Sequence, residues 1–416
     1  MNPLYNTGIA LYDLGIALAS LRSEKVAHMR RGRRRTLDTL AETRARVAPE
    51  GFDVWFHAAS LGEFEQGRPL IERLRRDRPE LKILLTFFSP SGYQVRHDYP
   101  LADAVEYLPS DRPADVRRFL DAARPRMAIF IKYEFWGNYL SELRRRHIPT
   151  YIISSIFRPS QRFFRAGGGL FRNMLRCFSH IFVQDESSEC LLRAIGISEV
   201  TVAGDTRFDR VTDIRAAAKP LPMVEEWLSD SPFTFIAGSS WEPDEDVYIP
   251  WLNAHPEVHA IVAPHEFDRA RLRTLLERLG PGAVLYSDAK AAGAIPAGTR
   301  VLVVDTFGLL SSLYRLGHMA HVGGGFGAGI HNINEAAVYG MPVTFGPRHQ
   351  KFKEAADLMA CGGAFEIADA ASFAAVADRM LADTAAREAV GDAAARYIAD
   401  NIGATDIIYD KIKNKL

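Results

Sequence analysis

Along this chain, short continuously apolar runs recur with amphipathic stretches between them, and few folds accept that rhythm. In the first half the runs occupy 52–60 (FDVWFHAAS), 82–89, 126–132, 150–156 and 180–185. In the second half they occupy 233–239, 258–264, 300–306, 318–324 and 341–346. A strand with one wet face alternates apolar and polar residues; one covered on both faces is apolar throughout, as in parallel sheets flanked by helices. The intervening stretches, such as Glu63 to Arg76, have helical spacing. The pattern predicts an α/β protein with doubly wound parallel sheets.

At roughly 100–200 residues per domain, 416 residues suggest two such lobes. The stretch 213–232 starts no strand and contains Lys219-Pro220-Leu221-Pro222, so it reads as the linker. The expected division is an N-terminal segment 1–35, a first lobe 36–212, and a second lobe 213–416 ending in Ala-rich helices from Phe373. Lys and Arg number 51 against 51 Asp and Glu, which argues against a bulk nucleic-acid binder. Cys177, Cys190 and Cys361 are too few and too scattered for a disulfide framework or a zinc site, which fits a reducing compartment.

The N-terminal segment has its own character. Residues 8–21 are mostly apolar, with Leu11, Leu14, Leu18 and Leu21 at helical spacing. The run is about 14 residues, short of the roughly 20 that a bilayer span needs. From Arg22 to Arg35 there are seven Lys or Arg and one acid, Glu24. An apolar helix with a basic flank suits an interfacial anchor on anionic lipid, the basic side cytoplasmic. A helix packed on the protein's own surface gives the same pattern. No small-residue cleavage site follows, so a removed signal peptide is not expected.

In open parallel sheets, ligands bind beyond the carboxyl ends of strands, and two lobes imply a cleft. The first strand-end motif is His57-Ala58-Ala59-Ser60-Leu61-Gly62-Glu63. Ser60 can cap the following helix, and Glu63, kept ionised by the helix N-terminus, suits a general base; it also suits a simple helix cap. The second is Lys132-Tyr133-Glu134-Phe135-Trp136, where Glu134 needs either a task or an ion-pair partner among neighbouring Lys and Arg. The third is Gly204 to Asp209, in which Arg207 offers a fork to phosphate or a salt bridge to Asp205 or Asp209. Ser239 and Ser240 follow the strand expected at 233–237, and Pro264-His265 the one at 258–262; hydroxyl and N–H groups there suit a phosphate.

The fifth motif runs from Gly323 to Glu335, with five glycines in seven residues, leading into a helix at 334–339. Such a tract exposes a row of N–H groups to a phosphate, and Glu335 can accept ribose hydroxyls; a flexible loop with a capped helix is the plainer alternative. It is not the six-residue dinucleotide fingerprint, so a nicotinamide enzyme is disfavoured. Asp244-Glu245-Asp246 resembles a metal-binding triplet but reads better as the acidic first turn of a helix. His318 and His321 lie in or beside a strand and point to opposite faces, which makes them poor joint ligands.

In their order, HAASLGEFEQGRPLIERL, KYEFWGNYL, GDTRFD, APHEFDR, VVDTFGLL, VGGGFGAGIHNINEAAVYGMPVTFGP and KFKEA resemble the 3-deoxy-D-manno-octulosonic acid (Kdo) transferases, from about residue 5 to 400. The resemblance implies a GT-B fold, two Rossmann-like lobes facing a central cleft, with an N-terminal membrane-associated helix. It implies inverting, metal-independent transfer of Kdo from CMP-Kdo to a lipid A precursor (lipid IVA) in lipopolysaccharide core synthesis. No cofactor and no nucleic acid are expected, and the place of action would be the cytoplasmic face of the inner membrane. Residue by residue, Glu63 matches the general base, and Glu134 a transition-state stabiliser. Arg207 stands where the family usually has Lys. Pro264 and His265 match a CMP-contacting pair, commonly Pro-Arg; Phe307, Gly308 and Leu309 match a loop commonly Met-Gly-Glu. Asn332, Ile333, Asn334 and Glu335 match the segment that holds the nucleotide. The alternatives are another GT-B glycosyltransferase using a UDP-sugar, or a non-catalytic nucleotide-binding protein at the membrane.

Overall fold

A computed structural model describes residues 3–416. The chain forms two compact units. One runs to Arg210 and takes back Ile402–Leu416; the other is Val211–Asn401.

The first unit is built on seven parallel strands: β1 (Val54–Ala58), β2 (Ile83–Phe87), β3 (Ala104–Tyr107), β4 (Met127–Ile131), β5 (Thr150–Ser155), β6 (His180–Val183) and β7 (Val200–Val202). Their order is β3-β2-β1-β4-β5-β6-β7. Every residue of β1, β2 and β4 is buried, because helices cover both faces. Alternate residues feed two cores: Trp55, Leu84 and Phe130 pack on one side, and Val54, Phe56, Leu85 and Ile129 on the other.

The second unit repeats the plan with β8 (Thr234–Ser240), β9 (His259–Pro264), β10 (Ala283–Leu285), β11 (Val301–Val303), β12 (Met319–Val322), β13 (Val343–Phe345) and β14 (Ala364–Glu366), in the order β10-β11-β9-β8-β12-β13-β14. Two parallel-sheet α/β units in one chain is the architecture expected from the apolar rhythm. All ten expected runs contain a strand. Four strands were not expected: β3, β7, β10 and β14, which are the two edges of each sheet.

The expected linker, 213–232, holds no strand, and half of it is helical, in Thr206–Ala216 and Pro222–Trp227. One expectation about boundaries needs correction. The C-terminal residues do not all belong with the second unit. Helix Ala404–Ile412 packs Ile408, Tyr409 and Ile412 into the core of the first. Asp209 clasps its start, accepting from the N–H groups of Gly403 (2.6 Å) and Thr405 (2.7 Å) and from the Thr405 hydroxyl (2.6 Å).

At the N-terminus, helix Pro3–Ala19 turns at Ser20–Arg22 into helix Glu24–Val47, capped by Ser23. No helix among the described residues is long and apolar enough to cross a membrane.

Candidate active site

Strand order places the candidate loops before any side chain is considered. In the first sheet the chain leaves β1 in one direction to β2 and returns on its other side at β4; in the second it does so between β8 and β12. Loops on either side of such a reversal diverge and leave a crevice beyond the strand ends. Glu63 follows β1 and Glu134 follows β4. The second unit's candidates follow β11, β9, β8 and β12, four adjacent strands.

Glu63 lies in the first turn of helix Leu61–Asp77. Its Oε2 accepts from the N–H of Ala59 (2.8 Å), while its own N–H donates to Ser60 Oγ (3.4 Å). Ser60 thus caps the helix, and the Glu63 carboxylate ties down the N–H of the residue before Ser60, so the plainer expectation for this residue holds locally. Its ionisation does not follow the expectation. Burial, and then the nearby Glu134 carboxylate, raise the Glu63 carboxyl to about 7, outweighing the N–H donors and Lys132. The helix N-terminus therefore does not keep it fully ionised, and a carboxyl poised near neutrality can both take and return a proton.

Glu134 is 7% exposed, and a histidine and an indole hold its carboxylate. One oxygen, Oε2, meets His57 Nε2 at 2.8 Å and accepts from Trp136 Nε1 at 2.6 Å. His57 is wholly buried in β1, with Nδ1 2.9 Å from Thr86 Oγ1 on β2. Oε1 takes part in none of these bonds. A clamp from strand, histidine and indole thus fixes the carboxylate by one oxygen. Sequence reasoning missed His57 as a working residue, although a polar ring inside an otherwise apolar run was a signal.

Arg207 bonds Asp205, as the salt-bridge alternative had it. Nε and Nη2 reach Asp205 Oδ2 at 2.9 and 2.7 Å, and its backbone N–H reaches Oδ1 at 2.9 Å. The motif is tied to the helix that carries Glu63: Thr206 Oγ1 donates to the carbonyl of Gln66 (2.5 Å) and Gln66 Nε2 to Asp205 (3.3 Å). Arg207 and Glu63 both act electrostatically on Tyr133, so the three strand-end motifs share one neighbourhood.

In the second unit, Ser239 sits at φ +51° where β8 bulges against β9. Ser240 points inward, accepting from the buried Tyr248 hydroxyl at 3.1 Å, so its side chain is core rather than phosphate ligand. His265 is exposed and stacked: its ring lies 4.6 Å from Trp241 and 4.4 Å from His331. Burial and then His265 push the His331 imidazole below its ordinary value. Pro264 ends β9. Phe307 is 85% exposed, its ring 4.5 Å from Phe267; Gly308 has φ +82°, and Leu309 precedes helix Leu310–Leu313.

The glycine tract is not the expected row of outward N–H groups. Gly323 donates to Gly238 O, Gly324 to Asp244 Oδ2, and Gly327 and Gly329 to Gly324 O. The glycines serve close packing: a Cβ on Gly325 would come within 2.5 Å of Gly346 N, and one on Gly323 within 2.4 Å of Ser239 O. The helix after it, Asn334–Ala337, is one turn long. Asp244, set aside as a metal ligand, is a tie. It accepts from Trp241 N (2.8 Å) and Gly324 N (2.9 Å), joining the loops after β8 and β12. Burial would raise its carboxyl, yet His321 and these donors hold it below the usual range. Glu245 and Asp246 pair with Arg271 and Arg278. His318 accepts from Thr234 N and His321 lies against Asp244 and Thr344, so the two rings have separate work.

In the last motif Asn332 Nδ2 donates to Glu335 Oε1 at 3.1 Å, and Ile333 is fully buried. Asn334 is also fully buried, and neither atom of its amide has a hydrogen-bond partner among the described residues.

The N-terminal helices carry the remaining candidate surface. Helix Pro3–Ala19 buries no residue, and Leu4, Leu11, Leu14, Leu18 and Leu21 are between 55% and 79% exposed. A groove of about 400 Å³ between these helices and the 110–115 segment is lined by Asp13, Leu14, Arg30, Arg34, Arg112 and Asp115, among others.

Comparison with known proteins bears on this geometry. A family model described as 3-Deoxy-D-manno-octulosonic-acid transferase (kdotransferase) matches residues 23–210. The 3-deoxy-D-manno-octulosonic acid transferase of Bordetella pertussis is 30% identical over 393 residues, covering 89% of each chain. The Haemophilus influenzae protein of the same name is 26% identical over 381 residues, covering 88% of this chain and 87% of its own. Among solved structures, UDP-GlcNAc 2-epimerase from Neisseria meningitidis bound to UDP-GlcNAc superposes with a TM-score of 0.61 at 15% identity. It covers 87% of this chain and all of its own, a likeness of fold alone. With nearly nine-tenths of its length aligned to the Bordetella pertussis enzyme at 30% identity, this protein belongs to the 3-deoxy-D-manno-octulosonic acid transferase family of glycosyltransferases.

Proposed function

We propose that this protein moves Kdo from CMP-Kdo to the lipid A precursor lipid IVA, with inversion and without a metal, as a step of lipopolysaccharide core synthesis. The observation that carries the reading is the half-buried Glu63 carboxyl, raised to about 7 beside a clamped second carboxylate, Glu134. The acceptor is a sugar hydroxyl, which needs a base as it attacks. Glu63 takes that proton while the acceptor oxygen bonds to the anomeric carbon. The bond to the CMP phosphate oxygen breaks on the opposite face, and its electron pair leaves with CMP. Glu134, through Oε1, supports the positive charge that grows on the sugar. Arg207 lends its charge at the same mouth.

On the donor side, a wholly buried Asn334 amide without a partner among the described residues supports a nucleotide there, since such a group costs stability unless something satisfies it. Glu335 is the ribose acceptor. Backbone at Phe307, Gly308 and Leu309, Pro264 with the exposed His265, and Ser239 complete the contacts. CMP leaves as one phosphate group, whose charge cationic side chains can meet, so the chemistry needs no metal. An acylated acceptor explains the N-terminal leucines and arginines, which we place on anionic lipid at the cytoplasmic face of the inner membrane.

The deciding experiment incubates the purified protein with CMP-Kdo and lipid IVA in phosphatidylglycerol vesicles and weighs the product by mass spectrometry. Product heavier by Kdo is expected, with Glu63→Gln slower by at least about 100-fold and CMP affinity unchanged. Glu63→Gln within tenfold of wild type removes the base assignment. Protein that fails to sediment with the vesicles removes the membrane assignment.

A further inference from the structure

Helix Gly137–Arg145 begins immediately after the Glu134 loop, and its first N–H groups need acceptors. The residue at the capping position is Trp136, which makes no capping bond; its indole is engaged with Glu134 instead. The acceptors come from elsewhere. Asp111 accepts from the N–H of Asn138 through Oδ2 (3.1 Å) and from that of Tyr139 through Oδ1 (2.9 Å). The N–H of Gly137 donates to the hydroxyl of Tyr5, on the N-terminal helix, at 2.9 Å. Tyr5 in turn donates to Asp111 Oδ2 at 2.6 Å. Beside it, Asn138 Nδ2 donates to Asn6 Oδ1 at 2.9 Å.

The N-terminal helix, which buries no residue of its own, is therefore held partly by the bonds that finish the catalytic loop's helix. We propose that Tyr5 is a positioning residue for the transfer reaction: from the N-terminal helix it fixes the start of helix Gly137–Arg145 and, through Trp136, the Glu134 carboxylate. Without the Tyr5 hydroxyl, the buried Gly137 N–H has no acceptor and Asp111 loses a donor. The peptide between Gly137 and Trp136 is then no longer fixed, and the indole that grips Oε2 moves with it. Trp136 also stacks on Phe88 at 4.9 Å, and Arg33 of the second N-terminal helix lies over the same ring at 4.2 Å, so both N-terminal helices bear on this one indole.

The proposal rests on the role assigned to Glu134, and its test separates the two. In the full-length protein, Tyr5→Phe removes one oxygen and leaves the apolar surface intact. We expect kcat to fall on the order of tenfold, with KM for CMP-Kdo within about twofold and vesicle sedimentation unchanged. Amide hydrogen exchange at Gly137–Tyr139 should quicken about tenfold. Trp136→Phe should also lower kcat, and the double variant should be no worse than the poorer single one. Wild-type kcat in Tyr5→Phe, unchanged exchange, or losses that multiply in the double variant would each overturn the positioning role. If the wild-type protein itself transfers no Kdo, the functional reading fails, and the exchange data still decide whether Tyr5 fixes the loop.

Discussion

The Glu63 carboxyl combines a capping bond with a titration near neutrality, and the two have separable consequences. If Glu63 is the base we propose, its ionised form does the work, so kcat/KM should fall as pH drops through about 7, and Glu63→Gln should lose that limb. Stability runs the other way. The carboxyl is raised above its unfolded value, so it holds its proton more tightly when folded. The stability this contributes is fully present below the unfolded value of about 4.5 and is lost as pH rises through about 7. Glu63→Gln cannot ionise, so its Tm relative to wild type should climb between pH 5 and 8; a constant difference would show that Glu63 titrates normally. The sequence located this residue because a Ser, a Gly and a Glu follow a buried strand at capping spacing. It could not show the raised ionisation, because Glu134 and the burial come from β4, about seventy residues along the chain. Likewise nothing in the sequence singles out Asp111 or Tyr5, which only the fold brings to the N–H groups of Gly137–Tyr139.

Among the elements, legibility followed burial. The ten expected strands are those covered on both faces, where a continuous apolar run is required. The four missed are sheet edges of three or four residues, only partly buried, such as Ala283–Leu285 and Ala364–Glu366, and no long apolar run is needed to form them. The glycine tract was read correctly as a place where chain must come close, and wrongly as a display of donors. The close approach is between protein backbones. β8 gives the same lesson at Gly238: a Cβ there would lie 1.8 Å from the Tyr314 hydroxyl and 2.8 Å from its Cζ, and that ring is 1% exposed. Gly238→Ala should cost about 1–3 kcal/mol in urea unfolding. Tyr314→Phe in the same chain should recover part of it; no recovery would place the strain elsewhere.

For the molecule as a whole, both halves of the chain contribute to the first unit, and Asp209 holds its last helix from a distance, as Asp111 holds Gly137–Arg145. Helix Ala404–Ile412 has Gly403 at its capping position, with no side chain to accept. Asp209→Ala should cost about 1–2 kcal/mol, and pulse proteolysis in urea should show the loss in fragments from residues 1–210 before any from 211–401. Equal sensitivity of both fragments would deny the clasp that role.

The return of Ile402–Leu416 also sets an order of assembly. A ribosome finishes every strand of the second sheet before Ile408, Tyr409 and Ile412 exist to complete the core beneath β1. The nascent protein can thus complete its second unit early, while the unit carrying Glu63 and Glu134 reaches full rigidity only after helix Ala404–Ile412 has emerged.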